Sequence, residues 1–190
     1  MLKQLRICLL LFLSLSVLTG ILYPAFITAI AQIIFPSQAN GSLIEKNNVV
    51  IGSKLIGQQF EDPKYFWSRP SATTPPFNAA ASTGSNLSVM NPKLMKSIKA
   101  RLEKIKATDP QNKLPVPIDL VTSSASGLDP HISIAAANYQ KSRISRLRGI
   151  PENKIDELIS RYTTGRFLGL LGEPVVKVLE LNLALDELNP

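Results

Sequence analysis

The sequence predicts an α+β protein in which a single N-terminal transmembrane helix is followed by one mixed α/β domain outside the cytoplasm. Three observations support this fold class. Residues 7–35 carry no charge, helical periodicity recurs beyond Asn91, and short runs rich in Val and Ile lie between turn-forming residues. A chain of 190 residues accommodates one ordinary domain and an appendage.

Residues 7–35 are the predicted membrane anchor. About 20 apolar residues suffice to cross the core of a bilayer, and this run is longer. Lys3 and Arg6 precede it, whereas the segment between the run and position 50 has a single basic residue balanced by a single acidic one. Because positively charged flanks tend to stay in the cytoplasm, residues 1–6 are predicted to be cytoplasmic and the domain extracytoplasmic.

A cleaved signal peptide is the alternative for this segment. Lys3 and Arg6 would form its basic region, and Ala29-Ile30-Ala31 resembles a small-residue cleavage site. The apolar part of a signal peptide typically has about 7 to 15 residues, so the longer run favours a retained anchor. Pro24 lacks a backbone donor and is expected to kink or loosen the helix, which a partner helix can compensate.

Beyond the anchor, residues 36–48 are a polar, turn-rich linker, and residues 49–190 are the predicted domain. Val49-Val50-Ile51 indicates a short buried strand. The segment from Pro63 to Pro92 is rich in proline and small residues but contains Tyr65-Phe66-Trp67. Three adjacent aromatic side chains predict an ordered loop, because a solvated linker has little use for them.

The other elements are predicted from periodicity and capping signals. They are an amphipathic helix from Asn91-Pro92, a strand over Ile118–Thr122, a helix from Asp129-Pro130, a helix from about Pro151 and a C-terminal strand over Val175–Leu185. The first of these helices has a lysine-rich face, which is typical of a solvated surface. Contact with lipid headgroups or a partner is the alternative.

The charge balance and the single cysteine narrow the possible partners. The excess of basic residues is mild, and an exported domain does not meet nucleic acid. Membrane lipid or an acidic partner surface therefore fits better. Cys8 lies in the anchor, so the domain is expected to rely on its core or its partner rather than on a disulfide.

His131 is the only histidine and follows Asp129 in a serine-rich context. A membrane-anchored or secreted serine hydrolase that uses His131 with Ser126 or another serine is therefore one hypothesis. The local sequence favours a structural role instead, with the Asp129 carboxylate accepting from backbone N–H groups of a first helical turn. We assign no catalytic residue. Because one histidine and scattered carboxylates are a poor ligand set, we assign no metal site either.

Ser126 and Gly127 are the candidate residues for nucleotide binding. They lie in a hydroxyl-rich loop that leads into a predicted helix N-terminus, where free backbone N–H groups bind phosphate. However, the chain lacks a G-x-x-x-x-G-K-[ST] pattern, and ATP is absent outside the cytoplasm. The favoured interpretation is that the residues of this loop stabilise a turn and do not bind phosphate.

Gln140 and Arg143 are the candidate interaction residues. A helical projection places them beside Ala136 and Tyr139 on a face that otherwise has the character of a core. Polar groups on such a face need hydrogen-bonding partners. Those partners lie either within the domain or across a subunit interface, and we predict that Arg143→Ala weakens complex assembly more than it destabilises the domain.

Several blocks of the sequence together resemble the C subunit of the bacterial potassium-transporting Kdp P-type ATPase, the KdpC family. The blocks are Gly52–Phe60 (GSKLIGQQF), Tyr65–Ser71 (YFWSRPS), Gly84–Leu87 (GSNL) with Asn91-Pro92, Val121–Ser133 (VTSSASGLDPHIS) and Leu181–Asp186 (LNLALD). Their fixed order behind an N-terminal anchor spans nearly the whole chain.

The resemblance implies a non-catalytic accessory subunit of an ATP-driven, high-affinity potassium importer in the bacterial plasma membrane. Its partners would be a channel-like potassium-binding subunit, a P-type subunit that hydrolyses ATP and a small membrane subunit. ATP and potassium would belong to the complex, and this chain would have no cofactor of its own. The family is also described as a catalytic chaperone that raises the ATP affinity of the hydrolysing subunit. An extracytoplasmic domain would have to exert that effect through the membrane helices or through assembly.

Overall fold

The computed structural model describes residues 1–188, and the chain divides between Ile51 and Gly52 into two compact units. The helices are α1 (Leu2–Val17), α2 (Tyr23–Ile34), α3 (Pro36–Ala39), α4 (Pro92–Thr108), α5 (Ile134–Arg148), α6 (Glu152–Arg161) and α7 (Val178–Leu188). The strands are β1 (Leu43–Lys46), β2 (Val49–Ser53), β3 (His131–Ser133), β4 (Thr163–Thr164) and β5 (Val175–Lys177). The mixture of helices and sheet after an apolar helix confirms the predicted fold class.

The first unit is dominated by one helix, Leu2–Ile34, which is long and apolar enough to cross a membrane. A π-helical turn, Leu18–Leu22, joins α1 to α2, and the N–H of Tyr23 donates to the carbonyl oxygen of Leu18 five residues earlier. Pro24 explains this widened turn, because its ring would clash with the carbonyl of an ordinary turn. The predicted loosening of the helix near Pro24 is confirmed.

A two-stranded sheet of β1 and β2 follows this helix. The predicted strand at Val49–Ile51 is confirmed, but the prediction that it is buried is wrong. The side chains of Val49 and Val50 are 62% and 53% exposed, because a two-stranded hairpin has no second layer to cover it. The predicted linker, residues 36–48, also contains α3 and β1.

The second unit is built on an antiparallel sheet with the strand order β3-β5-β4. Ile132 lies opposite Val176 in this sheet, and both are buried. Helices α5, α6 and α7 and the segment around Phe66 complete the core. Its fully buried large apolar side chains are Phe66, Leu120, Ile132, Ile144, Ile155, Val176, Val178, Leu181 and Leu185.

Two predicted helices and the predicted loop are confirmed. The Asn91 side chain caps α4 by accepting from the N–H of Lys93 at 3.0 Å, and Pro151 immediately precedes α6. In the loop between β2 and α4, the side chains of Phe66 and Trp67 are 0% and 3% exposed. The loop is therefore ordered by burial, as the adjacent aromatics predicted.

The predicted helix start at Asp129-Pro130 is wrong. Residues 131–133 form β3, and α5 begins at Ile134. The helix cap is Ser133, whose Oγ accepts from the N–H of Ala136 at 3.0 Å. The Asp129 carboxylate does accept from a backbone N–H, that of His131 at 3.0 Å, but it does so in a tight turn before a strand. Aspartate followed by proline is compatible with both geometries.

One predicted strand is also wrong, and another is confirmed only over Val175–Lys177. The Ile118–Thr122 segment contains a short 3-10 turn over Ile118–Leu120, which follows a proline. The hydroxyl of Thr122 stabilises this turn by donating to the carbonyl of Ile118. The C-terminal strand ends at Lys177, after which the chain turns directly into α7. Leu and Ala favour a helix, and the residues from Val178 onward bury one helical face in the core.

Candidate functional site

The central polar feature of the domain is a clamp on the backbone of Phe66 and Trp67. Asn182 on α7 pairs with both the N–H and the carbonyl of Phe66, at 2.9 Å each. Gln140 on α5 does the same for Trp67, accepting at 2.8 Å and donating at 3.2 Å. Two side-chain amides thus replace the neighbouring strand that these buried backbone groups would otherwise need.

Arg143 completes this clamp. Its Nη2 donates to the carbonyl of Tyr65 at 3.0 Å and to the Gln140 side chain at 2.8 Å. Its guanidinium carbon lies 4.8 Å from the centre of the Trp67 ring, within the range of a cation–π interaction. Burial lowers the pKa of Arg143 to about 10, against the attraction of Asp109, so the guanidinium stays charged at neutral pH.

The side chain of Trp67 has two further cations against its ring. The guanidinium carbon of Arg101 lies 5.1 Å and Nζ of Lys104 lies 5.5 Å from the ring centre. Arg101 also donates to the carbonyls of Leu120 and Ser68 at 3.2 Å each. Arg101 is therefore partly covered by the rest of the domain, whereas the lysines on the same face of α4 are exposed, as expected for a solvated surface.

Gln140 and Arg143 therefore find hydrogen-bonding partners within the domain, the first of the two alternatives that the sequence left open. Each residue is 4% exposed, so neither side chain is available for direct contact with another subunit. Sequence reasoning missed Asn182 altogether. The signal that could have found it is an asparagine within the apolar run Leu181–Leu185.

Among residues 1–188, three polar atoms beside the clamp are buried without a protein partner: Oδ2 of Asp109, the hydroxyl of Tyr139 and Nη1 of Arg143. Their residues line one cavity with Trp67 and Leu120, and its interior leaves about 10 Å³ for the centre of a water molecule. That is room for about one water. Burial and then the charge of Asp109 raise the pKa of Tyr139, so its hydroxyl stays protonated.

The loop that contains Ser126 and Gly127 is docked on the segment around Thr83. The carbonyl of Ser126 accepts from the N–H of Thr83 at 3.0 Å, and the carbonyl of Gly127 accepts from the hydroxyl of Ser71 at 2.7 Å. Gly127 has φ +68°, and a Cβ there would lie 2.6 Å from the carbonyl oxygen of Thr83. The glycine is therefore required by the close approach of two backbones.

Two backbone N–H groups of this loop are already occupied. The hydroxyl of Ser124 accepts from the N–H of Gly127 at 3.0 Å, and the hydroxyl of Ser126 accepts from that of Leu128 at 3.1 Å. The loop leads into β3 and not into a helix, so no helix dipole points at it. Its geometry is that of hydroxyl-stabilised turns.

His131 and Asp129 form part of a surface polar cluster with Arg69. Oδ1 of Asp129 lies 3.3 Å from Nδ1 of His131, and Oδ2 lies 3.3 Å from Nη1 of Arg69. Burial opposes ionisation of Asp129, but the hydrogen bonds from His131 and the charges of both neighbours outweigh it and lower the pKa of Asp129. Arg69 also donates to the carbonyls of Thr122 and Ser123.

This cluster joins the loop around Arg69 to the turn that precedes β3. Throughout residues 1–188, no hydrogen bond links the His131 ring to a serine hydroxyl, and the hydroxyl of Ser126 is engaged in its own turn. The same residues include no group of three or more His, Cys, Asp and Glu side chains that could hold a metal ion. The geometry gives no support to the hydrolase hypothesis.

The fold and its polar clusters define a class of protein: a small α+β domain that follows one apolar helix of membrane-spanning length and whose buried amides, Gln140 and Asn182, bind its own backbone. The sequence family described as K+-transporting ATPase, c chain (KdpC) matches residues 5–187. The chain belongs to this family, which confirms the resemblance found in the sequence.

Three relatives illustrate how closely the chain matches, and each carries the name potassium-transporting ATPase KdpC subunit. The protein of Herpetosiphon aurantiacus is 58% identical over 91% of this chain and 90% of its own length. That of Methylococcus capsulatus is 54% identical over 99% of this chain and 100% of its own length. That of Sorangium cellulosum is 56% identical over 98% of both chains.

Proposed function

We propose that this chain is a non-catalytic accessory subunit of an ATP-driven potassium importer of the P-type class and that it stabilises the assembled complex. The observation that carries the proposal is the family match over residues 5–187, which includes the apolar helix as well as the domain. Its partners are a channel-like potassium-binding subunit, a P-type subunit that hydrolyses ATP and a small membrane subunit. ATP and potassium act at the level of the complex.

The proposed topology is that of a single-pass protein of the bacterial plasma membrane. The helix Leu2–Ile34 is retained as an anchor, with the N-terminus in the cytoplasm and the domain outside. The charge distribution supports this orientation, because Lys3 and Arg6 lie at the start of the helix and its far end has no basic residue in its last turn.

The proposed catalytic-chaperone activity raises the ATP affinity of the hydrolysing subunit indirectly. Ser126 and Gly127 are poor candidates for direct nucleotide contact, because the N–H groups of Gly127 and Leu128 bind serine hydroxyls. An extracytoplasmic domain also lies on the opposite side of the membrane from the nucleotide. The effect therefore passes through the anchor helix or through the assembled state of the complex.

The experiment compares the transporter purified from cells with and without this chain. We expect the complex that lacks it to be recovered in lower yield and to need a higher ATP concentration for half-maximal hydrolysis. An unchanged yield together with unchanged ATP dependence would refute the accessory role. Hydrolytic activity of the isolated chain that is lost in His131→Ala would support the hydrolase alternative.

A further inference from the structure

The connection between β4 and β5 ends in a strongly apolar tip, which we call the apolar hairpin and define as residues 167–171. The exposed fractions of Phe167, Leu168, Leu170 and Leu171 are 69%, 79%, 81% and 65%. Four adjacent large side chains at such exposure form a contiguous patch of roughly 300 to 600 Å², the size at which surface patches are often functional. These side chains contribute little to the core of the domain.

The backbone of the apolar hairpin is organised to present these side chains. Phe167 and Leu171 form an antiparallel bridge, with the N–H of Phe167 donating at 2.8 Å and that of Leu171 donating back at 3.0 Å. The N–H of Leu170 donates to the carbonyl of Phe167 at 3.1 Å. Pairing within the tip lowers the cost of moving it out of water.

Leu168 occupies an unusual backbone conformation for its type. Its φ is +52°, followed by φ +74° at Gly169. Asn or Gly is favoured at the first position of a turn in which both central residues have positive φ. A leucine there adds backbone strain without being buried by the domain. A strained, exposed and apolar residue is typical of a contact site.

The charges at the base of the apolar hairpin favour a protein partner over a lipid surface. Nη2 of Arg166 binds both carboxylate oxygens of Glu173, at 2.9 and 3.0 Å. The cation is thereby neutralised, and the side chain of Glu173 is 77% exposed. Membrane-inserting segments instead present basic residues to anionic headgroups and often carry Trp. Residues 165–173 contain no Trp, and their one basic residue, Arg166, is paired with Glu173.

The size of the patch argues against a second copy of this chain as the occupant. A stable association of free proteins buries about 1,200 Å² or more, which is more than two small tips supply. A patch of this size suffices when the partner is already held nearby, because tethering raises the effective concentration. A subunit assembled around the same anchor helix meets this condition.

We propose that the apolar hairpin inserts into an apolar pocket of another subunit of the same transporter and is a principal contact of the domain with that subunit. This inference rests on the proposed accessory function. It assigns the contact to Phe167, Leu168, Leu170 and Leu171, and not to the buried Gln140 and Arg143.

The first test is copurification of the other transporter subunits with the tagged full-length chain from membranes. The variant carries Leu168→Asn and Leu170→Asn, and Leu114→Asn is the matched control, since Leu114 is also an exposed leucine (63%). Asn tolerates positive φ, so the unfolding temperature of the variant is expected to be unchanged. Its copurification yield is expected to fall about tenfold, as for the loss of an interface anchor.

Equal recovery of subunits with the double variant and the wild type would overturn the proposal. Failure of the wild-type chain to copurify with any transporter subunit would instead overturn the proposed function. The second test places benzoylphenylalanine at position 167 in the full-length chain in cells, followed by irradiation. A cross-link to another transporter subunit is expected. Cross-links only to lipid or to a second copy would refute a subunit pocket.

Discussion

Asn182 binds both backbone groups of Phe66, although 116 residues separate them in the sequence. Replacing Asn182 by Ala would leave a buried N–H and a buried carbonyl without partners, each of which costs about 1 to 3 kcal/mol. We expect Asn182→Ala to lower the free energy of unfolding by about 2 to 4 kcal/mol. The measurement is denaturant unfolding of the full-length chain in detergent, followed by the fluorescence of Trp67, the only tryptophan.

Asn153→Ala is the control for this prediction, because Asn153 is an exposed asparagine at the start of α6. It is expected to change stability by no more than about 0.5 kcal/mol. Equal stability of the two variants would show that the clamp on Phe66 contributes nothing.

Arg143→Ala is now expected to destabilise the domain, which reverses the prediction made from the sequence. The substitution removes hydrogen bonds to Tyr65 and Gln140 and the contact with the Trp67 ring. We expect a loss of about 2 to 4 kcal/mol, the usual range for a buried, hydrogen-bonded polar group. Thermal unfolding of the full-length variant measures it. Normal unfolding combined with impaired copurification would instead restore the interface hypothesis.

Gly127→Ala is expected to destabilise the domain because its Cβ would meet the carbonyl oxygen of Thr83 at 2.6 Å. A cost above about 1 kcal/mol follows from the positive φ alone. Gly165→Ala is the matched control, since a Cβ at Gly165 meets nothing within 4 Å. Equal unfolding temperatures for the two variants would contradict the close packing inferred for the loop around Ser126.

The isolated full-length chain is expected not to bind ATP tightly. The N–H groups of Gly127 and Leu128 already have hydroxyl partners, and the loop leads into a strand and not into a helix N-terminus that would favour phosphate. Titration calorimetry with ATP should therefore detect no binding in the micromolar range. A micromolar dissociation constant for ATP would refute this prediction.

Asp129 is expected to make the stability of the domain depend on acid pH. Its pKa is lowered in the folded state, so its stabilising effect is fully present above its unfolded pKa of about 3.9. The effect is lost as the pH falls through the lower folded value. Asp129→Asn should therefore be less stable than the wild type at pH 7, by on the order of 1 kcal/mol, and the difference should shrink below pH ~4. A difference that is independent of pH would refute this role.

Local sequence patterns suffice to predict several structural elements of this protein. A segment of membrane-spanning length is recognisable from the absence of charge over residues 7–35, because crossing a bilayer depends on composition and length. Helix α4 is recognisable because its cap, Asn91, and its apolar stripe lie within a few residues of each other. The adjacent aromatics at 65–67 were sufficient to predict an ordered loop, although not what they pack against.

The buried clamp and the structure of the C-terminal segment depend instead on contacts between segments that are distant in the sequence. Trp67 meets Gln140 across 73 residues, and Phe66 meets Asn182 across 116, so no local pattern reveals that two amides complete a backbone strand. The run from Val175 to Leu185 has a composition compatible with strand or helix. It divides at Lys177 because β5 pairs with β3 and β4, whereas Val178 to Leu185 bury a helical face. The fold decides which residues are buried. The energy of burial outweighs helix and strand propensities, which amount to about a few tenths of a kcal/mol per residue.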